Sequence, residues 1–430
     1  MHLWIDTSGI LLLIVGILYS YQMGYLVFVL LHDGYRKLRR GKQPEIDVVP
    51  HRFAALISAR NEANVIGQLL NTINGQDYPE EMRHIIVIAD NCTDNTAEVA
   101  RQHGATVFER FNSQQVGKGY ALTYAFQKIA ETFGDDYFDA YIIFDADNLL
   151  DEHYFAEMNK TFCQGYRVMT SYRNSKNFGA NWIAGGYAIA FLREAKFLNN
   201  ARMMLHTSCA VSGTGFLVAS EVIRERNGWN YHTLTEDIEF TVDSVIRGEC
   251  IGYCGAAMLY DEQPTTFRQS WHQRMRWSRG FYQIVLKYGR TLSRGVPCPT
   301  KAQRRFTCFD LTMTIVPSIL VTIAVLAADL ILLGYSVFGP VFMPNLMHRM
   351  IYELITWFGM YYLALFIMGA FTMLTEWKKI KCPFGKRVLY TFTYPLFMMT
   401  YIPISIAAMF GKVEWKPIKH SVSTTLDQVR

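Results

Sequence analysis

Between residues 48 and 290, short apolar runs alternate with segments that repeat apolar residues at helical spacing. Val65, Leu69, Leu70 and Ile73 form one such helical period, and residues 95–103 form another. The intervening runs have the length of strands and lie at residues 53–58, 84–89, 105–108 and 141–144. Strands separated by helices of about 10–15 residues are typical of βαβ units, so the pattern predicts an α/β domain with a mainly parallel sheet.

Polar residues directly follow three of these predicted strands. They are Arg60-Asn61-Glu62, Asp90-Asn91 and Asp145-Ala146-Asp147. Ligands of parallel α/β sheets bind at the carboxyl ends of the strands, where the sequence turns polar. The pattern therefore predicts a ligand site at this edge of the sheet.

Longer apolar runs flank this domain. Residues 10–31, 311–338 and 351–374 are each long enough for the ~20 residues of a membrane-spanning helix. A fourth run, 388–410, contains Pro395 and Pro403, which break or kink helices. For this run we favour a broken helix at the cytoplasmic interface over a fourth span.

Charge sets the expected orientation of these spans. Basic residues follow the first run at 36–42 and the third at 378–387. Because positively charged loops stay in the cytoplasm, we expect a multi-pass protein of the plasma membrane with its α/β domain on the cytoplasmic side. The expected division is 1–47 anchor and basic linker, 48–265 α/β domain, 266–305 interface helices, 306–410 membrane and interface helices, and 411–430 cytoplasmic tail.

Composition agrees with lipid contact and argues against nucleic acid. Charged residues make up 18% of the 430 residues, below the ~25% that is usual for soluble domains. The net charge is +5, and no long run of Lys or Arg offers a surface for phosphate backbones. We expect a lipid bilayer as a partner and no nucleic acid; the oligomeric state is left open.

Several residues could carry chemistry. Asp145 and Asp147 after a strand could bind one hard cation, or could simply cap a turn. Lys118 lies between Gly117 and Gly119 at a helix start, where it could contact a diphosphate or be a solvated loop lysine.

Two further segments allow a structural or a functional interpretation. Thr235-Glu236-Asp237 could be a capped helix start, or could supply Asp237 as a general base, with Glu236 and Glu239 as its rivals. Residues 266–288 mix aromatic residues with arginines. This mixture suits a helix at a bilayer surface, and it also suits contact with a sugar and a diphosphate.

The order of these motifs is distinctive. The series is Asp90, Asp145-x-Asp147, Thr235-Glu236-Asp237 and Gln273-x-x-Arg276-Trp277. It resembles family 2 glycosyltransferases, specifically the membrane-embedded processive synthases of cellulose, hyaluronan, chitin oligosaccharides and poly-N-acetylglucosamine. The resemblance implies a GT-A-type nucleotide-sugar-binding domain accompanied by transmembrane and interfacial helices.

The resemblance also implies roles toward a UDP-sugar donor. The uridine pocket would be lined by Asn61, Glu62 and Asp90. Lys118 and Asp145 would approach the diphosphate, and Asp147, with Asp145, would bind Mg²⁺ or Mn²⁺. Trp415 would belong to a switch loop over the nucleotide, although the Gly-Thr-Arg that usually follows this Trp is missing here.

Other residues would serve the acceptor and the chemistry. Asp237 would be the base beside Glu236, and a loop with Ser212, Gly213 and Thr214 would lie near the acceptor. Three residues of one motif would clamp the diphosphate and stack on the acceptor sugar, namely Gln273, Arg276 and Trp277.

The implied activity is inverting, metal-dependent transfer from a UDP-sugar to a growing β-linked polysaccharide that the same protein exports. β-Glucan is slightly favoured over an N-acetylglucosamine polymer. The alternative is a non-processive transferase that adds one sugar to a membrane lipid.

Overall fold

The computed structural model describes residues 16–17, 20–35, 47–300, 303–315, 318–339, 341, 343–411, 413 and 424–430. Its centre is an eight-stranded sheet in the order β3-β2-β1-β4-β7-β6-β8-β5. The strands are β1 Phe53–Ala59, β2 Arg83–Asp90, β3 Thr106–Arg110, β4 Ala140–Asp145, β5 Leu149–Leu150, β6 Val168–Ser175, β7 Phe216–Ala219 and β8 Gly252–Asp261.

The first four strands are the predicted ones, and they pair in parallel. The remaining half is mixed: β7 runs antiparallel to β4 and β6, β5 runs antiparallel to β8, and β6 and β8 are parallel. The sequence prediction of a mainly parallel sheet therefore holds for the N-terminal half. Strands β1, β2 and β4 are buried on both faces, which explains their continuous apolar runs.

Helices cover both faces of the sheet. Those of the α/β domain are α2 Ile66–Asn74, α3 Thr96–Gln102, α4 Lys118–Phe133, α5 Tyr154–Phe162, α8 Ser220–Glu225 and α9 Glu236–Ile246, and α1 is the helix of residues 20–35. Two apolar cores result, because alternate side chains of β1, β2 and β4 point to opposite faces. Leu56 and Ile143 lie in one core, and Ile57 and Phe144 lie in the other.

A second group of helices lies beside the domain. These are α6 Trp182–Arg193, a π-helical segment Glu194–Asn199, α7 Asn200–Met204, α10 Phe267–Arg294 and α11 Arg305–Ile315. Helix α10 is amphipathic, and it packs its apolar side against α9 and α11 through a shared cluster that includes Val242, Ile284 and Leu311. The apolar run predicted to begin at residue 311 therefore begins inside α11, and that helix packs on the α/β domain.

The remaining helices are the candidates for membrane contact. They are α12 Ser318–Phe338, α13 Pro344–Thr375, α14 Phe384–Met399 and α15 Tyr401–Phe410, and a short α16 Leu426–Val429 follows. Among the described residues, Pro344–Thr375 and the α14–α15 pair Phe384–Phe410 are long and apolar enough to cross a membrane. Two such helices give weak support for membrane association.

The predicted break in the last apolar run is present. Helices α14 and α15 meet at Thr400, between Pro395 and Pro403. Arg274 of α10 is fully buried at this break, where its Nη1 donates to the Phe397 carbonyl at 3.0 Å and to Thr400 Oγ1 at 2.7 Å. Thr400 Oγ1 also donates to the Phe397 carbonyl, at 2.6 Å, so the guanidinium ties the end of α14 and the junction residue to α10.

Candidate functional site

An open cleft of about 450 Å³ lies at the carboxyl ends of β1, β2 and β4. One half is lined by strand ends and by the start of α9, and the other half by helices α6, α10, α14 and α15. Most of the site residues predicted from the sequence line this cleft, namely Glu62, Asp90, Lys118, Asp145, Asp147, Ser212, Gly213, Glu236, Asp237, Gln273, Arg276 and Trp277.

Lys118 links three segments of the site. Its ammonium forms an ion pair with Asp145 and donates to the Gly213 carbonyl at 2.8 Å. Helix α4 can place Lys118 here because the next residue is Gly119, where a Cβ would lie 2.1 Å from the Tyr231 carbonyl oxygen. A lysine so held beside a strand-end carboxylate can meet a phosphate that enters the cleft.

Asp147 lies among hydrogen-bonding groups at the end of β4. It is buried, and its Oδ2 accepts from the Glu262 backbone N–H at 3.2 Å. Burial raises the pKa of Asp261, and so do the charge of Asp147 and a hydrogen bond between the two carboxyls. Carboxylate oxygens packed this closely suit a hard divalent cation, because it offsets their mutual repulsion. Asp147 and Asp261 thus offer oxygen ligands of the kind that Mg²⁺ or Mn²⁺ binds, whereas Asp145 is paired with Lys118. The described residues contain no group of three or more His, Cys, Asp or Glu side chains that could hold a metal ion, so metal binding by Asp147 with Asp145 stays a prediction.

The expected uridine residues separate into two groups. Glu62 and Asp90 line the cleft. The Asp90 carboxylate is buried, and its Oδ1 accepts a hydrogen bond from Arg110 Nη1 at 2.6 Å. Asn61 is not among the cleft residues. Its Oδ1 accepts from the Thr93 backbone N–H at 2.7 Å, so this side chain joins two loops next to the pocket and lies outside it.

Glu236 and Asp237 begin α9 and lie at the cleft. Burial and the adjacent Asp237 charge raise the pKa of Glu236 to about 7, and burial also raises the pKa of Asp237. Thr235 occupies the N-cap position, but its side chain makes no capping hydrogen bond. A helix start with acidic residues in its first turn thus explains why these acids stand at the beginning of α9. It does not explain why both are enclosed in the cleft.

Helix α10 brings the Gln273-x-x-Arg276-Trp277 motif to the opposite wall. Arg276 donates to the Leu234 carbonyl at 3.0 Å, which holds the guanidinium beside the start of α9. The Gln273 side-chain oxygen is buried, and it accepts from none of the described residues. Trp277 packs edge-on against Tyr187, with ring centroids 5.8 Å apart.

The small-residue loop is only partly at the cleft. Ser212 and Gly213 line it, and a Cβ at Gly213 would lie 3.7 Å from Asp237 Oδ2. Thr214 is buried, and its hydroxyl accepts from the Asp145 backbone N–H at 2.9 Å, so it supports the strand end and lines no part of the cleft. Trp415 lies outside the described residues.

Comparison with known proteins identifies the family. The sequence profile described as "Glycosyltransferase like family 2" matches residues 50–280, more than half of the chain. The chain belongs to this family. A solved mannosyltransferase from Pyrobaculum calidifontis, in complex with GDP-Man and Mn²⁺, superposes with a TM-score of 0.53 at 16% identity, covering 93% of this chain and 99% of that one. This likeness concerns the fold alone, a GT-A-type fold.

Sequence relatives within family 2 differ in product. Beta-monoglucosyldiacylglycerol synthase of Synechocystis is 26% identical over 253 residues, which are 57% of this chain and 51% of the relative. Poly-beta-1,6-N-acetyl-D-glucosamine synthase of Staphylococcus aureus is 24% identical over 251 residues, which are 57% and 58%. The chain therefore spans between half and three-fifths of the length of these relatives.

Further charged residues line this family 2 cleft without having been predicted from the sequence, among them Arg173, Glu194, Arg202 and Asp261. Asp261 ends β8 in the run Tyr260-Asp261-Glu262, so the strand-end rule that found Asp90 and Asp145 could have found it. Arg173 lies in the middle of β6, and the other two lie in or just after the π-helical segment. Sequence spacing gives no signal for these three.

Proposed function

We propose that this family 2 protein transfers a hexose from a UDP-sugar to an acceptor hydroxyl, with inversion at the anomeric carbon. The observation that carries the proposal is the convergence of Lys118, Asp145, Asp147, Asp237 and Arg276 at one cleft. These residues come from distant parts of the chain. They bring the cations and carboxylates that a leaving diphosphate and an attacking hydroxyl require into one place.

The proposed roles follow from charge and position. Asp237 takes the proton of the acceptor hydroxyl; burial raises the pKa of its carboxyl, which makes the carboxylate a stronger base. Lys118 and Arg276 offset the negative charge that grows on the departing diphosphate. A divalent cation held by Asp147, with Asp145, would supply further neutralisation of that diphosphate.

Proton transfer needs Asp237 to stay unpaired with these cations. Lys118 forms its ion pair with Asp145, and Arg276 donates to a backbone carbonyl. Asp237 therefore keeps lone pairs that can accept a hydrogen bond from the acceptor.

For the product we propose a β-linked polysaccharide, with β-glucan slightly favoured over an N-acetylglucosamine polymer. Gln273, Arg276 and Trp277 support processive extension, because all three line the cleft and Trp277 offers an aromatic ring to an acceptor sugar. Single-sugar transfer to a membrane lipid is the second candidate. The apolar residues Leu198, Phe281 and Met398 in the same cleft and the likeness to a glucosyldiacylglycerol synthase favour it.

We also propose that the protein is a multi-pass plasma-membrane protein with its cleft on the cytoplasmic side. The two apolar helices and the basic loops support this, and the five-part division of the chain at residues 47, 265, 305 and 410 belongs to the same proposal. Extension and export of the product by the same chain would require this arrangement.

The proposed chemistry is tested with Asp237→Asn, which keeps the size of the side chain but cannot take a proton. We expect turnover to fall by about 10²–10⁴-fold, which is typical for loss of a general base. UDP-sugar affinity should change little, because the base contacts the acceptor. Glu236→Gln is the matched control, and its loss should be smaller. Unimpaired turnover in a folded Asp237→Asn protein would end the assignment.

A further inference from the structure

The helical half of the cleft has its own chemical character. Aromatic and apolar side chains dominate its wall, including Tyr187, Phe191, Trp277 and Phe397. Helices α6, α10, α14 and α15 and the π-helical segment contribute one carboxylate among the described residues of the cleft, that of Glu194. The same wall also carries the cations Arg193 and Arg276. A carboxylate among these aromatic, apolar and basic groups requires an explanation, because burying its charge is unfavourable without partners.

The backbone places Glu194 at the cleft through an irregular turn. Helix α6 changes to π-helical hydrogen bonding at Glu194 and returns to α-helix at Asn200. In α6, before this segment, Gly185 and Gly186 pack against α14. Within the segment, Phe197 packs against α1. The π-helical segment thus joins two packing surfaces, and such segments are frequent at functional sites.

The charges around Glu194 leave its carboxylate available. Burial raises its pKa, and the charges of Arg173 and Arg202 and a hydrogen bond with Ser212 oppose that shift. Both arginines are already engaged: Arg173 pairs with Asp261, and Arg202 donates to both oxygens of Asp310 at 2.7 and 2.9 Å. A carboxylate offers about four lone-pair positions. Ser212 uses one, so acceptor capacity remains toward the cleft.

Glu194 and Asp237 face the same loop. Ser212 bonds to Glu194, the neighbouring Gly213 lies against Asp237 Oδ2, and the Asp237 charge contributes to the raised pKa of Glu194. Two hydrogen-bond-accepting carboxylates therefore flank one end of the aromatic wall. An acceptor with two neighbouring hydroxyls can satisfy both carboxylates, whereas an acceptor with a single hydroxyl can satisfy one.

We propose that Glu194 is a positioning residue for the acceptor: it accepts a hydrogen bond from the hydroxyl next to the attacking one, so that the attacking oxygen faces Asp237. The inference rests on the proposed transferase function and names its acceptor class. The acceptor is the terminal sugar of a glycan or glycolipid, with neighbouring hydroxyls and an apolar ring face. A lipid alcohol with one hydroxyl does not meet this requirement.

The test uses the full chain in detergent micelles that contain no sugar, with a UDP-sugar donor. Octyl β-glucoside is the acceptor with neighbouring hydroxyls, and 1-octanol is the single-hydroxyl acceptor. We expect transfer to octyl β-glucoside, and we expect Glu194→Gln to raise the KM for it at least about tenfold, as loss of a hydrogen bond to a charged group does. The donor KM should stay within about twofold.

Lys196→Gln is the matched control, because Lys196 belongs to the same π-helical segment, pairs with Asp33 and lies outside the cleft. It should leave the KM for octyl β-glucoside unchanged. Failure of the wild type to use octyl β-glucoside, equal use of 1-octanol, or an unchanged acceptor KM in Glu194→Gln would overturn the proposal. Failure of the proposed function itself is distinct, since the wild type would then release no UDP with any acceptor.

Discussion

Gly280 determines how closely α10 approaches the start of α9. A Cβ at this position would lie 2.4 Å from Thr235 Oγ1 and 2.6 Å from Thr235 Cγ2. Thr235 precedes the two acids of the site, and the Gln273-x-x-Arg276-Trp277 motif of α10 lies three to seven residues before Gly280. Replacing Gly280 with alanine should therefore separate the catalytic carboxylate from the groups that hold the diphosphate.

The size of the effect follows from the distances. Restoring ordinary contact at about 3.4 Å requires a relative shift of about 1 Å, and misplacement of that size in an active site can reduce turnover about 100-fold. Overpacking costs about 1–3 kcal/mol of stability, whereas the better helix propensity of alanine returns about 1 kcal/mol. The free energy of unfolding should therefore fall by no more than about 2 kcal/mol, which leaves a folded protein of low activity.

The assay compares Gly280→Ala with Gly289→Ala, a second glycine of the same helix. A Cβ at Gly289 would meet only the Val285 side chain, at an ordinary 3.5 Å. We expect Gly289→Ala to keep its turnover and to gain slightly in thermal stability. Gly280→Ala should lose about 100-fold in turnover while remaining folded. Wild-type turnover in Gly280→Ala would refute the claim that this contact sets the catalytic geometry.

Three further predictions concern metal, pH and topology. Asp147→Asn should abolish turnover, and a chelator should abolish turnover of the wild type, with activity restored by Mg²⁺ or Mn²⁺. Activity that survives either treatment would exclude a metal from the mechanism. The folded Glu236 carboxyl keeps its proton up to about pH 7 and the unfolded one only to about pH 4.5, so the free energy of unfolding should fall as pH rises through this window. The fall should be less steep in Glu236→Gln, and an equal dependence of the free energy of unfolding on pH in the two proteins would contradict this prediction. In a variant without other exposed cysteines, Val341→Cys should react in intact cells with an impermeant thiol reagent and Gln428→Cys should not, and the reverse pattern refutes the proposed topology.

Sequence reasoning was most successful where one physical rule dominates. Buried parallel strands require continuous apolar runs, so β1, β2 and β4 could be predicted to within one residue at each end. The edge strand β3 is partly exposed, and its prediction was two residues off at one end. The break near Thr400 followed from two prolines.

The remaining features depend on tertiary contacts that sequence spacing does not record. The antiparallel strand β7 is four residues long, and its pairing with β4 depends on the whole domain. Asn61 was predicted to line the uridine pocket, but its side-chain oxygen accepts a hydrogen bond from the nearby Thr93 backbone N–H. Glu194 reaches the cleft through a π-helical turn that has no sequence signature.

The most direct test of the central claim is the anomeric configuration of the product. Purified full-length chain is incubated with UDP-glucose, and separately with UDP-N-acetylglucosamine, in the presence of Mg²⁺ or Mn²⁺; released UDP is measured, and the new linkage is assigned by its anomeric proton coupling. The account predicts UDP release from one of these donors and a β-linkage, in the wild type and not in Asp237→Asn. An α-linked product, or no UDP release from either donor, would contradict it.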